Sequence, residues 1–206
     1  IETLARVDVL CLDKTGTITE GTMQVDGVIS LCGESPDLPL TALMNALNDG
    51  NPTFNAVKEK WNGASDWKCT KSLPFSSAKK WSGAEFEGKG SYIIGAAEFI
   101  LGSDFEKLRQ QVSELSAGGQ RVLLLAHSEN GFKDRDLPDG IAPIALISIS
   151  DRIRKEAPDT LKYFAEQGVD IKIISGDNPV TVANIAKKAG LKNADKYVDA
   201  STITDI

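Results

Sequence analysis

Residues 7–17, Val-Asp-Val-Leu-Cys-Leu-Asp-Lys-Thr-Gly-Thr, constrain the fold more than any other stretch. An apolar run of this length, rich in Val and Leu and closed by turn residues, suits a strand buried on both faces of a parallel sheet. In open α/β sheets the reactive groups gather in the crevice beyond the carboxyl ends of the strands. Asp13 occupies that position. A carboxylate is a competent nucleophile toward a phosphoryl group, and such a group needs neighbouring donors and cations more than covalent chemistry. Lys14 brings positive charge, Thr15 and Thr17 bring hydroxyls, and Gly16 lets backbone amides approach. Read as composition alone, Asp-Lys-Thr-Gly-Thr fits a surface β-turn equally well.

The 206 residues leave room for one large domain or two modest ones, and 41% hydrophobic with 25% charged content is that of a globular protein. A net charge of −6, with no basic stripe interleaved by aromatics, argues against a nucleic-acid partner. Cys11, Cys32 and Cys69 are widely spaced and odd in number. They favour a reducing compartment over a disulfide framework or a zinc site. No signal-peptide pattern opens the chain. The longest apolar runs, 122–126 and 144–149, are strand-length, far short of the roughly 18–20 residues that span a bilayer. The start, directly in an approach to a strand, and the end at Asp205-Ile206 read as excision points from a larger polypeptide.

Along the chain, residues 18–25 continue extended, and 33–39 are loop-like with Pro36 and Pro39 as breakers. Leu40, Leu43, Met44 and Leu47 give a helical stripe, closed by Asp49-Gly50. Asn51-Pro52 opens a second helix, with Asn as N-cap and Phe54, Val57 and Trp61 inward. Residues 67–73, 80–86 and 91–94 read as strands, the last two joined through Glu87-Gly88-Lys89-Gly90. Ser103 and Glu106 form a capping box for a helix carrying Phe105, Leu108, Val112 and Leu115. A strand over 120–127 follows, and a polar crossing lies at 134–140. Then 141–149 (strand), 154–167 (helix), 169–174 (strand) and a helix from Asn178-Pro179 give the alternation of a parallel α/β sheet. The expected architecture is a split parallel α/β unit, residues 1–23 and 140–206, with a mostly antiparallel α+β unit inserted over 24–139. His127, the only histidine, reads as structural.

A second constellation is Ile-Ile-Ser-Gly-Asp-Asn-Pro at 173–179. A strand, a small polar turn and a helix N-terminus make a phosphate site, with free amides and a favourable dipole. Taken singly it reads as an N-cap turn. Together with Asp13 it reads otherwise. The ordered string Asp13-Lys14-Thr15-Gly16-Thr17-Ile18-Thr19 resembles the phosphorylation signature of the P-type cation-transporting ATPases, and Ser175-Gly176-Asp177 resembles their Thr/Ser-Gly-Asp motif. The resemblance implies a haloacid-dehalogenase-like Rossmannoid phosphorylation domain, split and incomplete here, with an inserted nucleotide-binding domain. It implies that Asp13 takes the γ-phosphate of ATP, with Mg²⁺ held partly by Asp13 and the Thr15 carbonyl. Ser175 and the Gly176 amide would bond the phosphoryl group, and Asp177 would set the Mg²⁺ and loop geometry. It also implies a transported cation, with calcium first and magnesium or a monovalent ion behind it. An actuator domain of the same polypeptide and a place on the cytoplasmic side of a bacterial plasma membrane complete that expectation.

Asp151-Arg152-Ile153-Arg154 resembles the family's Asp-Pro-Pro-Arg segment, with Arg152 and Ile153 in place of the prolines, and nominates Asp151 and Arg154 as nucleotide contacts or as a plain charged helix start. The segment from Leu73 to Ser82 resembles the adenine-site strand, nominating Phe75 to stack the base and Lys80 as a nearby cation; a core Phe with solvated lysines is the other reading. Gly119-Gln120-Arg121 resembles the segment whose arginine reaches the phosphates, where guanidinium geometry suits the task. Gly95-Ala96-Ala97-Glu98 resembles Lys-Gly-Ala-Pro-Glu, but Ile94 stands where the lysine belongs, and Phe54 stands where many relatives have an adenine-contacting glutamate. Weaker or less adenine-selective binding follows. The family's Gly-Asp-Gly-x-Asn-Asp motif does not occur before Ile206, so efficient ATP turnover is not expected of this chain alone. Two other readings compete: a haloacid-dehalogenase-like phosphatase with 24–139 as its cap, and a nucleotide-binding module without turnover. Such phosphatases usually carry a general-acid Asp two residues after the nucleophile. Here Thr15 stands there, which favours a lasting phosphoenzyme.

Overall fold

The computed structural model describes residues 7–199 and 202. They fall into two compact units. One holds the chain up to Thr22, Ala117–Gly119 and the residues from Asp151 onward; the other holds Met23–Ser116 and Gln120–Ser150. The fold is the expected mixed α/β class with a large antiparallel sheet, but the second chain division falls at 150/151 rather than at 140. The outermost expected limits, 1–6 and 203–206, lie outside the described residues.

The smaller unit is built on β1 (Val9–Asp13) and β8 (Asp170–Ile174), paired in parallel with Asp13 opposite Ile174. Helices α5 (Ala157–Glu166) and α6 (Pro179–Lys188) supply Leu161, Ile185 and nearby Ala189 to a small core around Ile18, against which Leu12, Ile171 and Ile173 pack. Strand β1 was expected to be buried on both faces. Its exposure instead alternates, and Val9 is 51% exposed, so one face alone is covered among the described residues.

The larger unit is a six-stranded sheet in the order β2-β7-β6-β5-β4-β3. These strands are β2 (Thr19–Ser30), β3 (Cys69–Leu73), β4 (Trp81–Phe86), β5 (Gly90–Gly95), β6 (Arg121–Ser128) and β7 (Ala142–Ile153). Both faces are covered. Ile94, Leu125, Ala145 and Ile147 join a core with α1 (Asp37–Ala46) and α2 (Pro52–Lys60), while their neighbours Ile93, Leu124, Ala126 and Leu146 join another with α3 (Ala97–Leu101). Successive strand residues point to opposite faces, so a doubly covered strand reads as one continuous apolar run. The run at 141–149 therefore fits a parallel unit equally well, since it marks burial on both faces and is silent about strand direction. β7 in fact pairs antiparallel with β6.

Helix α1 starts at Asp37, earlier than expected. Pro39 sits in its first turn, where the missing N–H has no intrahelical partner to lose. The capping box at Ser103 is not formed; Gly102–Lys107 is a 3₁₀ turn before α4 (Arg109–Ser116), with no side-chain cap bond. Glu106 instead pairs with Arg109, three residues on. His127 is structural, bonded through Nε2 to the Lys89 carbonyl at 2.9 Å and packed on the Tyr92 ring.

Candidate functional site

Strand β1 ends in extended backbone at Asp13 and enters a tight loop over Lys14–Ile18. Thr15 (φ −80°, ψ 123°) and Gly16 (φ 78°, ψ −8°) have the dihedrals of the two central residues of a type II turn. The second central position needs positive φ, which glycine adopts freely. A side chain at Gly16 would meet no atom within 4 Å, so the requirement for glycine is purely one of backbone conformation. The buried Thr19 closes the loop: its amide and its hydroxyl both donate to the Lys14 carbonyl. Arg154 braces the turn from outside, its guanidinium donating to the Gly16 carbonyl at 2.8 Å and its amide to the Ile18 carbonyl at 2.9 Å.

The turn drives the Lys14 side chain inward, to 4% exposure. A buried lysine must be paired. Lys14 Nζ bonds Asp151 at 2.5 Å and also pairs with Asp177. Burial opposes its charge, but the hydrogen bonds and charges of the two carboxylates outweigh it and raise the ammonium above its ordinary 10.5. Parallel pairing of β1 with β8 sets Ser175, Gly176 and Asp177 directly after the residue opposite Asp13. The Ser175 hydroxyl accepts from the Asp177 amide at 3.2 Å, and Asn178 caps α6 by accepting from Val180 at 2.9 Å. The Asp13 side chain is exposed, with no hydrogen bond or ion pair to another described residue.

Three chain-distant segments thus meet at the loop that follows Asp13: Asp151 and Asp177 on the Lys14 ammonium, and Arg154 on the Gly16 carbonyl. Asp151 and Arg154 were expected as nucleotide contacts; their partners here are Lys14 and the Gly16 carbonyl. Strand β7 runs on through Arg152 and Ile153, a continuation that two prolines would have ended for want of N–H donors. For a divalent cation, the exposed Asp13 carboxylate and the Thr15 carbonyl are hard oxygen donors of the type magnesium takes alongside phosphate and water oxygens. Among the described residues no group of three or more His, Cys, Asp or Glu could hold a metal by itself. The donor set therefore fits an ion brought in with a phosphate.

The larger unit contains a separate cavity of about 320 Å³, lined mainly by apolar side chains including Met44, Val57 and Leu123. Phe75, Lys80, Gly95 and Arg121 all line it. Phe75 is 43% exposed, and its amide donates to Asp49 Oδ1 at 3.0 Å. Lys80 adopts φ 60°, a left-handed conformation that costs a side-chain-bearing residue energy. Bonds from its amide to the Ser76 carbonyl (2.7 Å) and from Ala96 to its carbonyl (3.0 Å) hold it there. Gly95 lies opposite Trp81, and a Cβ on it would come within 2.4 Å of the Lys80 carbonyl oxygen and 2.6 Å of Trp81 Cα. Glycine here is a matter of close approach. Arg121 donates to the Thr53 hydroxyl at 3.2 Å. Phe54 and Ile94, the two departures noted in the sequence, line the cavity and belong to the core behind it. Asp49 and Thr53 line it as well. In the sequence Asp49 is only part of a helix-ending turn; its tie to Phe75 spans 26 residues, and no local pattern signals it.

The haloacid dehalogenase-like hydrolases match residues 7–206, and the chain belongs to that family. It is 45% identical over its whole length to a probable cation-transporting ATPase, exp7, of Streptococcus pneumoniae, covering 27% of that protein. It is 41% identical to the calcium-transporting ATPase CtpE of Mycolicibacterium smegmatis, over 93% of this chain and 24% of CtpE. The chain therefore spans about a quarter of the length of these curated relatives. Among solved structures, a zinc-transporting PIB-type ATPase in the E2.Pi state matches with a TM-score of 0.71 and 26% identity, over 93% of this chain and 29% of that one.

Proposed function

We propose that this chain is the ATP-binding and phosphoryl-accepting part of a P-type cation pump. A carboxylate oxygen of Asp13 attacks the γ-phosphorus of ATP. The new O–P bond forms as the bond to the β–γ bridging oxygen breaks and ADP leaves. Water later cleaves the acyl phosphate, returning the carboxylate and inorganic phosphate. Ser175 and the Gly176 amide bond the transferred group, while Lys14 fixes Asp151 and Asp177 beside it. The Asp13 carboxylate and the Thr15 carbonyl would hold magnesium, which would supply positive charge to the phosphate oxygens.

The observation that carries this reading is the buried Lys14 held between Asp151 and Asp177, one residue from an exposed, unpaired Asp13. We assign phosphorylation to the smaller unit and nucleotide binding to the larger, where Phe75 stacks the base and Lys80 and Arg121 face the phosphates. Likeness to CtpE supports calcium as the cargo. Among the described residues no helix is long and apolar enough to cross a membrane. The path for the ion, the membrane attachment and the actuator step are therefore assigned to other parts of the pump polypeptide.

Labelling with γ-³²P-ATP and magnesium, at high protein concentration and with an acid quench, tests the acceptor. Slow, single-site incorporation that hydroxylamine removes is expected, and none in Asp13→Asn. Hydroxylamine-resistant label, or label surviving in Asp13→Asn, would overturn the assignment.

A further inference from the structure

Asp49 is the one acidic side chain among the described residues lining the apolar cavity. Its Oδ1 accepts the Phe75 amide at 3.0 Å. Its Oδ2 is shielded from solvent and has no hydrogen-bond partner. A solvent-shielded carboxylate oxygen with no protein donor is costly and calls for an explanation. Asp49 lines the cavity, and with Oδ1 engaged by the Phe75 amide, Oδ2 is the acceptor that it has left to offer there. The other charged groups lining the cavity, Lys80 and Arg121, are cations. A ligand that joins an anionic end to a flat ring with an N–H donor on its edge matches both.

We propose that Asp49 is the specificity-determining residue of this cavity, accepting a hydrogen bond from the 6-amino group of a purine whose ring packs on Phe75. The inference rests on the nucleotide reading of the cavity given above. Adenine brings a donor to that position. Hypoxanthine, with the same ring faces, brings a carbonyl oxygen there, which a carboxylate repels. A second polar edge in an otherwise apolar wall would also be left unpaired. Asp49 thereby supplies, from the connection between α1 and α2, a carboxylate that Phe54 does not provide.

The test is calorimetric titration of the 206-residue chain with ATP and with ITP, in EDTA to prevent turnover, on the wild type and on Asp49→Asn. The wild type is expected to prefer ATP by about tenfold or more, the worth of one hydrogen bond to a charged acceptor. Asparagine keeps an oxygen for the Phe75 amide but turns an N–H₂ toward the purine, so the preference should vanish or reverse. Equal weakening of both nucleotides in Asp49→Asn would mean that Asp49 merely holds Phe75, and would overturn the proposal while leaving the nucleotide reading intact. So would equal affinities in the wild type, a result that needs no variant to fold. Absence of binding by either nucleotide would overturn the nucleotide reading, and the proposal with it.

Discussion

The Asp13 loop and the Phe75 cavity solve the placement of reactive groups by opposite means. At the loop, charge does the placing: a lysine is buried, and two carboxylates from distant parts of the chain are drawn to it. The one special backbone position, Gly16, stands in open space. At the cavity, packing does the placing. Phe75, Lys80 and Arg121 stand around an apolar hollow, Lys80 is kept in a left-handed conformation, and Gly95 touches backbone so closely that no side chain fits. A site held by charge is exposed to pH and to the loss of one partner. A site held by packing is exposed to the addition of a methyl group.

Removing the lysine should break the comparison most severely. Lys14→Met is expected to lower unfolding stability by about 3 kcal/mol, near the lower end for a broken buried pair because Asp151 and Asp177 are partly exposed. Urea titration measures this. The pH dependence follows from the same pair. The Lys14 ammonium is raised above 10.5 in the folded chain, so its contribution is complete below 10.5 and is lost as pH climbs through the raised value. The stability difference between wild type and Lys14→Met should accordingly be flat from neutral pH to 10.5 and shrink above it. A difference that persists unchanged through the alkaline range would refute the charge-held picture.

Next in size is Gly95→Ala, where the added methyl meets backbone; about 2 kcal/mol of destabilisation is expected, with ATP affinity falling as Lys80 shifts. Gly16→Ala tests the other kind of glycine. With nothing to strike, it should cost only the positive-φ strain, about 1 kcal/mol. Similar costs at the two positions would erase the distinction. Smallest is Lys80→Gly, which should raise stability by up to about 1 kcal/mol by relieving the left-handed strain while weakening ATP binding. A loss of stability would show that the Lys80 side chain packs for the fold rather than waits for a ligand.

Much of this organisation was legible because it is local. Asn51 and Asn178 cap their helices through bonds that reach only two or three residues ahead, and Asn-Pro announces such caps in sequence. The Asp13 and Ser175-Gly176-Asp177 segments were recognisable as strand-to-turn junctions for the same reason. Ser103 shows the limit even of local patterns: Glu106 had a stronger partner in Arg109 than in a backbone amide, and the box did not form.

By itself the sequence marked most of the helices and strands, because those patterns depend on residues a few positions apart, and its resemblance to a family nominated Asp13, Phe75, Lys80 and Arg121. Tertiary structure decided the rest. It assigned β7 to the antiparallel sheet, since an apolar run records that both faces are covered and not which neighbour lies alongside. It buried Lys14, which the sequence marks only as a source of positive charge, since its fate depends on Asp151 and Asp177, more than a hundred residues away. It also made a lining group of Asp49, whose partner Phe75 comes near only when β3 has been laid into the sheet. Long-range pairing of charge and surface has no period along the chain, and folding is what brings the partners within reach.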